Sequence, residues 1–243
     1  MTTETLAPDT TAIERQLSLA YRIWQDAQGE RLRLEGRLRS ANLCKFCGGK
    51  KLPKEDHDCS RCVKGSPCYH CDGSGEAPIQ IPAAALASLG LSLPALQQAE
   101  KDTCARLVGL FRQHPLRAAI ADCDGIGEEL GAQLIGMVGN FGRFRNPAKL
   151  WAYLGLGVTN GERQRRRKGE QANFKPEGQV WAFKVGEQFW HWGKNGRYGA
   201  MYAERLVLEE AKRPEGAKKR AARYTVKQML KHLWCVANGA EER

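Results

Sequence analysis

Six of the nine cysteines form three Cys-x-x-Cys pairs inside one short segment, residues 44–75. The pairs are Cys44/Cys47, Cys59/Cys62 and Cys68/Cys71. Two intervening residues let both thiolates of a pair reach one ion at about 2.3 Å. The segment is polar and rich in glycine, so it has too few apolar side chains to fold alone. The sequence therefore predicts a structural Zn²⁺ site rather than a set of reduced thiols.

The spacing leaves the pairing of the cysteines open. The first and third pairs together give Cys-x2-Cys-x20-Cys-x2-Cys, which is close to a zinc ribbon, and the second pair would then need His57 as a further ligand. Alternatively, the first and second pairs share one ion, and the third pair takes His70 or His57. Both one ion and two ions fit these spacings. The sequence around Cys68, CYHCDGSG, resembles the Cys-x-x-Cys-x-Gly-x-Gly repeat of the DnaJ-type zinc domain, but a fourth repeat is missing here.

Periodic apolar residues predict a mainly α fold, because strand-like alternation is almost absent. A heptad pattern, interrupted by Arg31, predicts a helix over 10–42, either an amphipathic helix on its own domain or a coiled coil within the chain or with a second copy. A second helix over 96–113 ends at His114-Pro115 and is long enough to pack antiparallel to the first, with the cysteine segment at the tip of this helical hairpin.

The predicted domain organisation has four parts. They are a coiled-coil-like helix (1–43), zinc knuckles (44–75), a linker with the second long helix (76–115) and a helix-hairpin-helix-type DNA-binding domain (116–243). The last part should contain helices near 177–193, 197–212 and 216–238.

The net charge of +11 lies entirely in the C-terminal part of the chain. Residues 1–103 hold 13 basic and 13 acidic residues, whereas residues 104–243 hold 25 basic and 14 acidic residues. This asymmetry predicts that the C-terminal part contacts a polyanion. No apolar run of about 18 residues indicates a membrane span, and the first residues show no signal-peptide pattern, so we expect a cytoplasmic protein without a membrane partner.

Two glycine turns followed by a basic run predict a duplex-DNA contact surface. Glycines permit tight turns, and the free N–H groups of a following helix can bind phosphate. The expected DNA-binding residues are Gly125, Ile126, Gly127, Gly155, Gly157, Arg163, Arg165, Arg166, Arg167, Lys168, Lys218, Lys219 and Arg220. Most of the aromatic residues in the last three predicted helices have helical spacing, which favours core packing over base stacking.

The stretch from Gly125 to Gly169 resembles the C-terminal transposase domain of the insertion-sequence 110/116/902 family, the Piv-like recombinases. The matching features are the Gly-x-Gly hairpin, Phe144-Arg145, the "LWAYLGLG" helix and turn, and the basic stretch after it. The resemblance extends over about 95–238. It implies a mobile-element protein from a bacterium, phage or plasmid that acts in DNA recombination, transposition or their regulation.

In that family, the resemblance implies a ribonuclease-H-like domain with four acidic metal ligands, a serine nucleophile after the "GL" turn, and in some cases a structured guide RNA. This sequence departs from the pattern, because about 40 helical residues precede the first cysteine and no serine follows Ser92. Thr159 is the nearest hydroxyl and only a weak catalytic candidate. We therefore expect no independent catalytic site.

Three functions remain in contention. The first is a zinc-containing DNA-binding protein related to transposases. The second is an active transposase subunit that uses Thr159 or a partner's acidic domain. The third is a structured-RNA-binding or assembly protein. In each case the helical hairpin or its zinc tip would hold a second copy or another protein.

Overall fold

The computed structural model describes residues 10–45, 47–50, 61, 63, 65–77, 92–123, 125–159, 161–166, 168–191 and 196–240. Within these residues the fold is mainly α, as predicted from the sequence. The α-helices are α1 (Thr10–Asn42), α2 (Leu93–Phe111), α3 (Arg117–Ala121), α4 (Glu128–Val138), α5 (Pro147–Tyr153), α6 (Pro176–His191), α7 (Arg197–Lys212) and α8 (Ala217–Asn238). A 3-10 turn covers Phe141–Arg143, and strands β1 (Val158–Thr159) and β2 (Glu162–Arg163) form a two-residue antiparallel ladder.

The chain divides into two compact units. The first consists of Met1–Arg22 together with Cys104–Arg243, and the second is Ile23–Thr103. The predicted boundaries near residues 44, 76 and 116 stay predictions.

Helix α8 organises the core of the first unit. Met229, Leu230 and Leu233 on its apolar face are at most 1% exposed. Two indole groups anchor neighbouring segments to this helix: Trp151 Nε1 donates to the Lys227 carbonyl at 3.0 Å, and Trp234 Nε1 donates to the Phe144 carbonyl at 2.8 Å. A buried indole N–H needs such a partner, so these bonds fix α5 and the 3-10 turn against α8.

The start of α1 packs on α4 in the same unit. Leu17 is fully buried, and a Cβ atom at Gly136 would lie 2.6 Å from the Tyr21 Cβ. Glycine at position 136 therefore allows the two helices to approach more closely than any other residue would. Leu17, one of the heptad residues of α1, lies at this contact within the chain; the prediction of a coiled coil stays untested.

In the second unit, the end of α1 runs antiparallel to the start of α2. Gln28 and Arg31 both donate to the Glu100 carboxylate, and Gln97 donates to Glu35 one turn further along. Arg31 therefore places a positive charge at a heptad position, and Glu100 on α2 neutralises that charge. The hydrogen bonds that Arg31 donates to the Glu100 and Glu35 carboxylates raise its pKa, so the guanidinium stays charged.

Among the described residues, none of the helices has both the length and the apolar character that a membrane crossing requires.

Candidate functional site

The first candidate site is a cluster of four thiols in the second unit. Cys44, Cys47, Cys68 and Cys71 are buried, and their Sγ atoms all lie within 4.8 Å of one another. The Cys44–Cys68 and Cys47–Cys71 sulfur pairs are 3.8 and 3.7 Å apart. A tetrahedral Zn²⁺ with bonds of about 2.3 Å requires sulfur–sulfur edges of about 3.8 Å, whereas a disulfide requires about 2.05 Å. The geometry therefore fits four thiolates around one metal ion.

The backbone holds these thiols by pairing the two ends of the loop. Cys44 N donates to the Gly75 carbonyl at 3.0 Å, and Leu43 forms an isolated antiparallel bridge with Glu76. Gly75 N also donates to Cys71 Sγ at 3.3 Å. Such N–H···S bonds stabilise thiolates and orient them toward a metal.

Burial and hydrogen bonding act in opposite directions on the Cys71 thiol. Burial raises its pKa, but the Gly75 N–H and hydrogen bonds from the other three thiols outweigh this effect and lower the pKa to about 7. The cluster therefore favours the thiolate form that a metal needs.

The structure brings together the first and third cysteine pairs, which is one of the two arrangements that the spacing allowed. His70 lies outside the cluster and makes an edge contact with the Tyr69 ring. Cys59, Cys62 and His57 lie outside the described residues, so their predicted roles and the number of ions stay predictions, as does the DnaJ-type likeness.

The first glycine turn lies between α3 and α4. Gly125 has φ +83°, and Ile126 is buried and donates its N–H to the Cys123 carbonyl. Gly127 is the extended N-cap residue of α4, and a Cβ there would meet only open space. The positive φ angle at position 125 therefore favours glycine, whereas position 127 has room for a side chain.

The N-terminus of α4 carries its own anion. Glu128 forms ion pairs with Arg112 at 2.8 Å and with Arg117 at 3.1 Å. The hydrogen bond from Arg112 is the largest factor that lowers the pKa of Glu128, followed in the same direction by Arg117. The carboxylate offsets the charge of one arginine, so the cluster keeps one net positive charge, and the sequence analysis did not anticipate this cluster.

The second glycine turn is shaped by packing. Gly155 is buried with φ +70°, and a Cβ there would lie 2.5 Å from the Phe174 ring. A Cβ at Gly157 would lie 2.5 Å from Gln164 Oε1, which accepts the Gly157 N–H at 2.9 Å. The N–H groups at Gly155 and Gly157 bond inside the protein, so close packing explains these glycines without DNA.

The second candidate site is a cavity of about 400 Å³ in the first unit, between the segment after β2, α6 and the start of α8. Two basic stretches separated by about 50 residues in the sequence meet there. The cationic lining residues are Arg163, Arg165, Arg166, Lys218, Lys219 and Arg223. Bringing positive charges close together costs free energy, and an anionic ligand would offset that cost. Arg167 lies outside the described residues, and Lys168 is exposed but not part of the lining.

Arg220 has a structural role. Its guanidinium donates to Glu209 Oε2 at 2.6 Å and also to the carbonyls of Glu215, Glu209 and Arg213. Glu209 is buried and pairs in addition with Arg205, and the hydrogen bond from Arg220 is the largest factor that lowers its pKa. Contact of Arg220 with DNA stays a prediction, but its hydrogen-bonding capacity is already used to join α7 to α8.

Arg223 lines the cavity and contacts the second glycine turn. Its Nη2 donates to the Gly157 carbonyl at 3.3 Å. Burial lowers its pKa, and the neighbouring Arg163 acts in the same direction. Burial and the neighbouring positive charge both destabilise the charged form of Arg223, and an anionic partner would stabilise it.

The aromatic residues divide into a buried set and an exposed set. Trp181, Phe189 and Tyr198 are core residues, as their spacing predicted. Phe183 and Trp190 are 56% and 41% exposed, and both line the cavity. Trp192 lies outside the described residues.

Thr159 lies in β1 and pairs with Glu162 of β2.

Among the described residues, the four-cysteine cluster is the only group of three or more His, Cys, Asp or Glu side chains close enough to hold a metal.

These features define a mainly helical protein with a four-cysteine metal-site candidate and a basic cavity. Residues 117–169 match the family model described as "Transposase IS116/IS110/IS902 family". The match confirms the resemblance noted in the sequence, and it covers the glycine turns and the basic run. Comparison with curated proteins and with solved structures found no match. The family match and the cysteine cluster together support a transposase-related protein with a candidate zinc site.

Proposed function

We propose that this protein binds duplex DNA through its basic cavity, contains structural zinc, acts in transposition or its regulation, and has no catalytic site of its own. The observation that carries the proposal is the convergence of two basic stretches, in 163–166 and 218–223, around one cavity. The first of these stretches lies inside the residues that match a transposase family. Neither basic stretch alone would distinguish a binding surface from a solvated charge run.

The interaction with DNA is mainly electrostatic. Arg163, Arg165, Arg166, Lys218 and Lys219 supply five cationic groups for phosphate contacts. Such contacts release counterions and carry little sequence information. Binding is therefore strongly dependent on salt and weakly dependent on sequence. Lys168 and the first glycine turn extend the contact surface.

The zinc ion is held by the four clustered cysteines. It stabilises a loop whose own apolar content is small, so metal binding and folding of this segment are coupled. The joined ends of the loop, Leu43 and Glu76, place the zinc site directly after the end of α1. The helical hairpin offers a surface for a second copy or a partner protein.

The proposal is tested by measuring duplex affinity for variants of each basic stretch. Arg165→Gln with Arg166→Gln, and separately Lys218→Gln with Lys219→Gln, should each weaken binding about tenfold or more at fixed low salt. Arg37→Gln with Arg39→Gln, on α1, is the matched control and should bind like the wild type. Loss in only one of the two cavity variants would contradict a shared surface, and no loss in either would refute the proposal.

A further inference from the structure

The cavity has features that phosphate contact alone does not require. Its floor is formed by Ala182, Gly186 and Ala222, and a Cβ at Gly186 would lie 2.9 Å from the Ala222 Cβ. Small residues therefore let α6 and α8 pack closely where they line the cavity. A volume of about 400 Å³ falls within the range of small-molecule sites, whereas a duplex backbone needs only a surface.

Exposed aromatic side chains stand along this space. Phe183 and Trp190 are seven residues apart on α6, which places them on one face two turns apart. Lys218 Nζ lies 4.4 Å from the centroid of the Trp190 ring. Large apolar rings left in solvent beside cations are typical of sites where nucleic-acid bases stack.

Glu187 also lines the cavity. A carboxylate repels phosphate, but it accepts hydrogen bonds from the N–H groups of unpaired bases, such as N3–H of thymine. The wall therefore presents a hydrogen-bond acceptor and two exposed aromatic rings, surrounded by cations.

We propose that this cavity takes an unpaired nucleobase of DNA, with the adjoining phosphates on the surrounding arginines and lysines. This inference deepens the proposed function and rests on it for the phosphate contacts. It assigns the protein a preference for DNA that is locally unpaired, as at a junction or strand end, over fully paired duplex.

The test compares three labelled duplexes of equal length by fluorescence anisotropy with the full chain. One is fully paired, one has a short bubble of mismatched thymines, and one has abasic sites at the same positions. The bubble duplex should bind about tenfold tighter than the paired duplex, and the abasic duplex should show no gain. An equal gain in affinity with the abasic duplex would mean that the protein recognises the flexibility of the DNA and not an unpaired base, and the inference would be wrong.

Two variants connect the preference to the cavity. Phe183→Ala and Trp190→Ala should each reduce the ratio of bubble-duplex affinity to paired-duplex affinity at least threefold. Val180→Ala is the matched control, because Val180 is exposed on the same helix but does not line the cavity. Circular dichroism verifies that each variant folds. A preference that survives both cavity variants would refute the assignment.

The remaining outcomes are also decisive. Equal binding of paired and bubble duplexes would refute this inference and leave the proposed function standing, whereas failure to bind any duplex would refute both. Displacement of the bubble duplex by excess free thymidine monophosphate would reassign the cavity to free nucleotides. Tighter binding, by more than tenfold, of an RNA duplex with the same bubble would refute the assignment to DNA.

Discussion

His114, at the end of α2 in the first unit, should make the protein less stable at mildly acidic pH. Its ring is buried, Nδ1 accepts the Leu116 N–H at 3.2 Å, and Nε2 has no hydrogen-bond partner among the described residues. The nearest acid oxygen, Glu14 Oε1, is 4.0 Å from Nε2. Burial lowers the pKa of His114 from 6.5 to about 4.

The magnitude follows from the difference between the folded and unfolded pKa values. Between pH 6.5 and 4 the unfolded chain binds the proton and the folded chain does not, so stability falls as the pH falls through this window. At about 1.4 kcal/mol per pKa unit the full loss is about 3 kcal/mol, and about 2 kcal/mol of it is complete at pH 5.

Urea unfolding at pH 8 and pH 5 measures this loss. His114→Asn keeps an acceptor for the Leu116 N–H but does not titrate, so it should lose about 2 kcal/mol less than the wild type between the two pH values. His191→Asn, at an exposed position, is the control and should behave like the wild type. Equal losses in wild type and His114→Asn would mean that His114 is not held neutral, and the reasoning would be refuted.

Three further predictions concern the metal cluster, a glycine turn and a buried ion pair. Cys44→Ser should lower the zinc content by one ion per chain, as measured by elemental mass spectrometry; an unchanged zinc content would exclude the four-cysteine site. Gly155→Ala should cost roughly 2–3 kcal/mol in thermal unfolding, because it combines a strained backbone with overpacking, whereas Gly127→Ala should cost less than about 1 kcal/mol; equal costs would contradict the packing account. Glu209→Gln should cost roughly 1–2 kcal/mol in urea unfolding, because Arg220 loses its carboxylate partner but keeps its carbonyl acceptors, against little change for the exposed Glu210→Gln; similar values for both would refute that role.

Local periodicity was enough to locate the helices. The sequence predicted helices over 197–212 and 216–238, and the structure has Arg197–Lys212 and Ala217–Asn238. Apolar spacing of 3.6 residues and the glycines at the ends of α8 carry this information within a few neighbouring residues.

Features that depend on distant residues could not be predicted. Nothing near Arg31 in the sequence indicates that Glu100 neutralises it. DNA binding by Gly155 and Gly157 stays a prediction, and the sequence does not indicate that Phe174 and Gln164 fill the space that side chains at these positions would occupy. The cavity itself arises from the tertiary packing of α6 and α8. The sequence therefore showed its cationic and aromatic residues but could not predict that they lie around one cavity.

The salt dependence of duplex affinity tests the central claim most directly. Five phosphate contacts predict a slope of log affinity against log salt of about −4.5, and Arg163→Gln, Arg165→Gln and Arg166→Gln combined should reduce it to about −1.8. Arg33→Gln, Arg37→Gln and Arg39→Gln combined remove the same charge from α1 and should leave the slope unchanged. Equal slopes for the wild type and the cavity variant would contradict DNA binding by this surface.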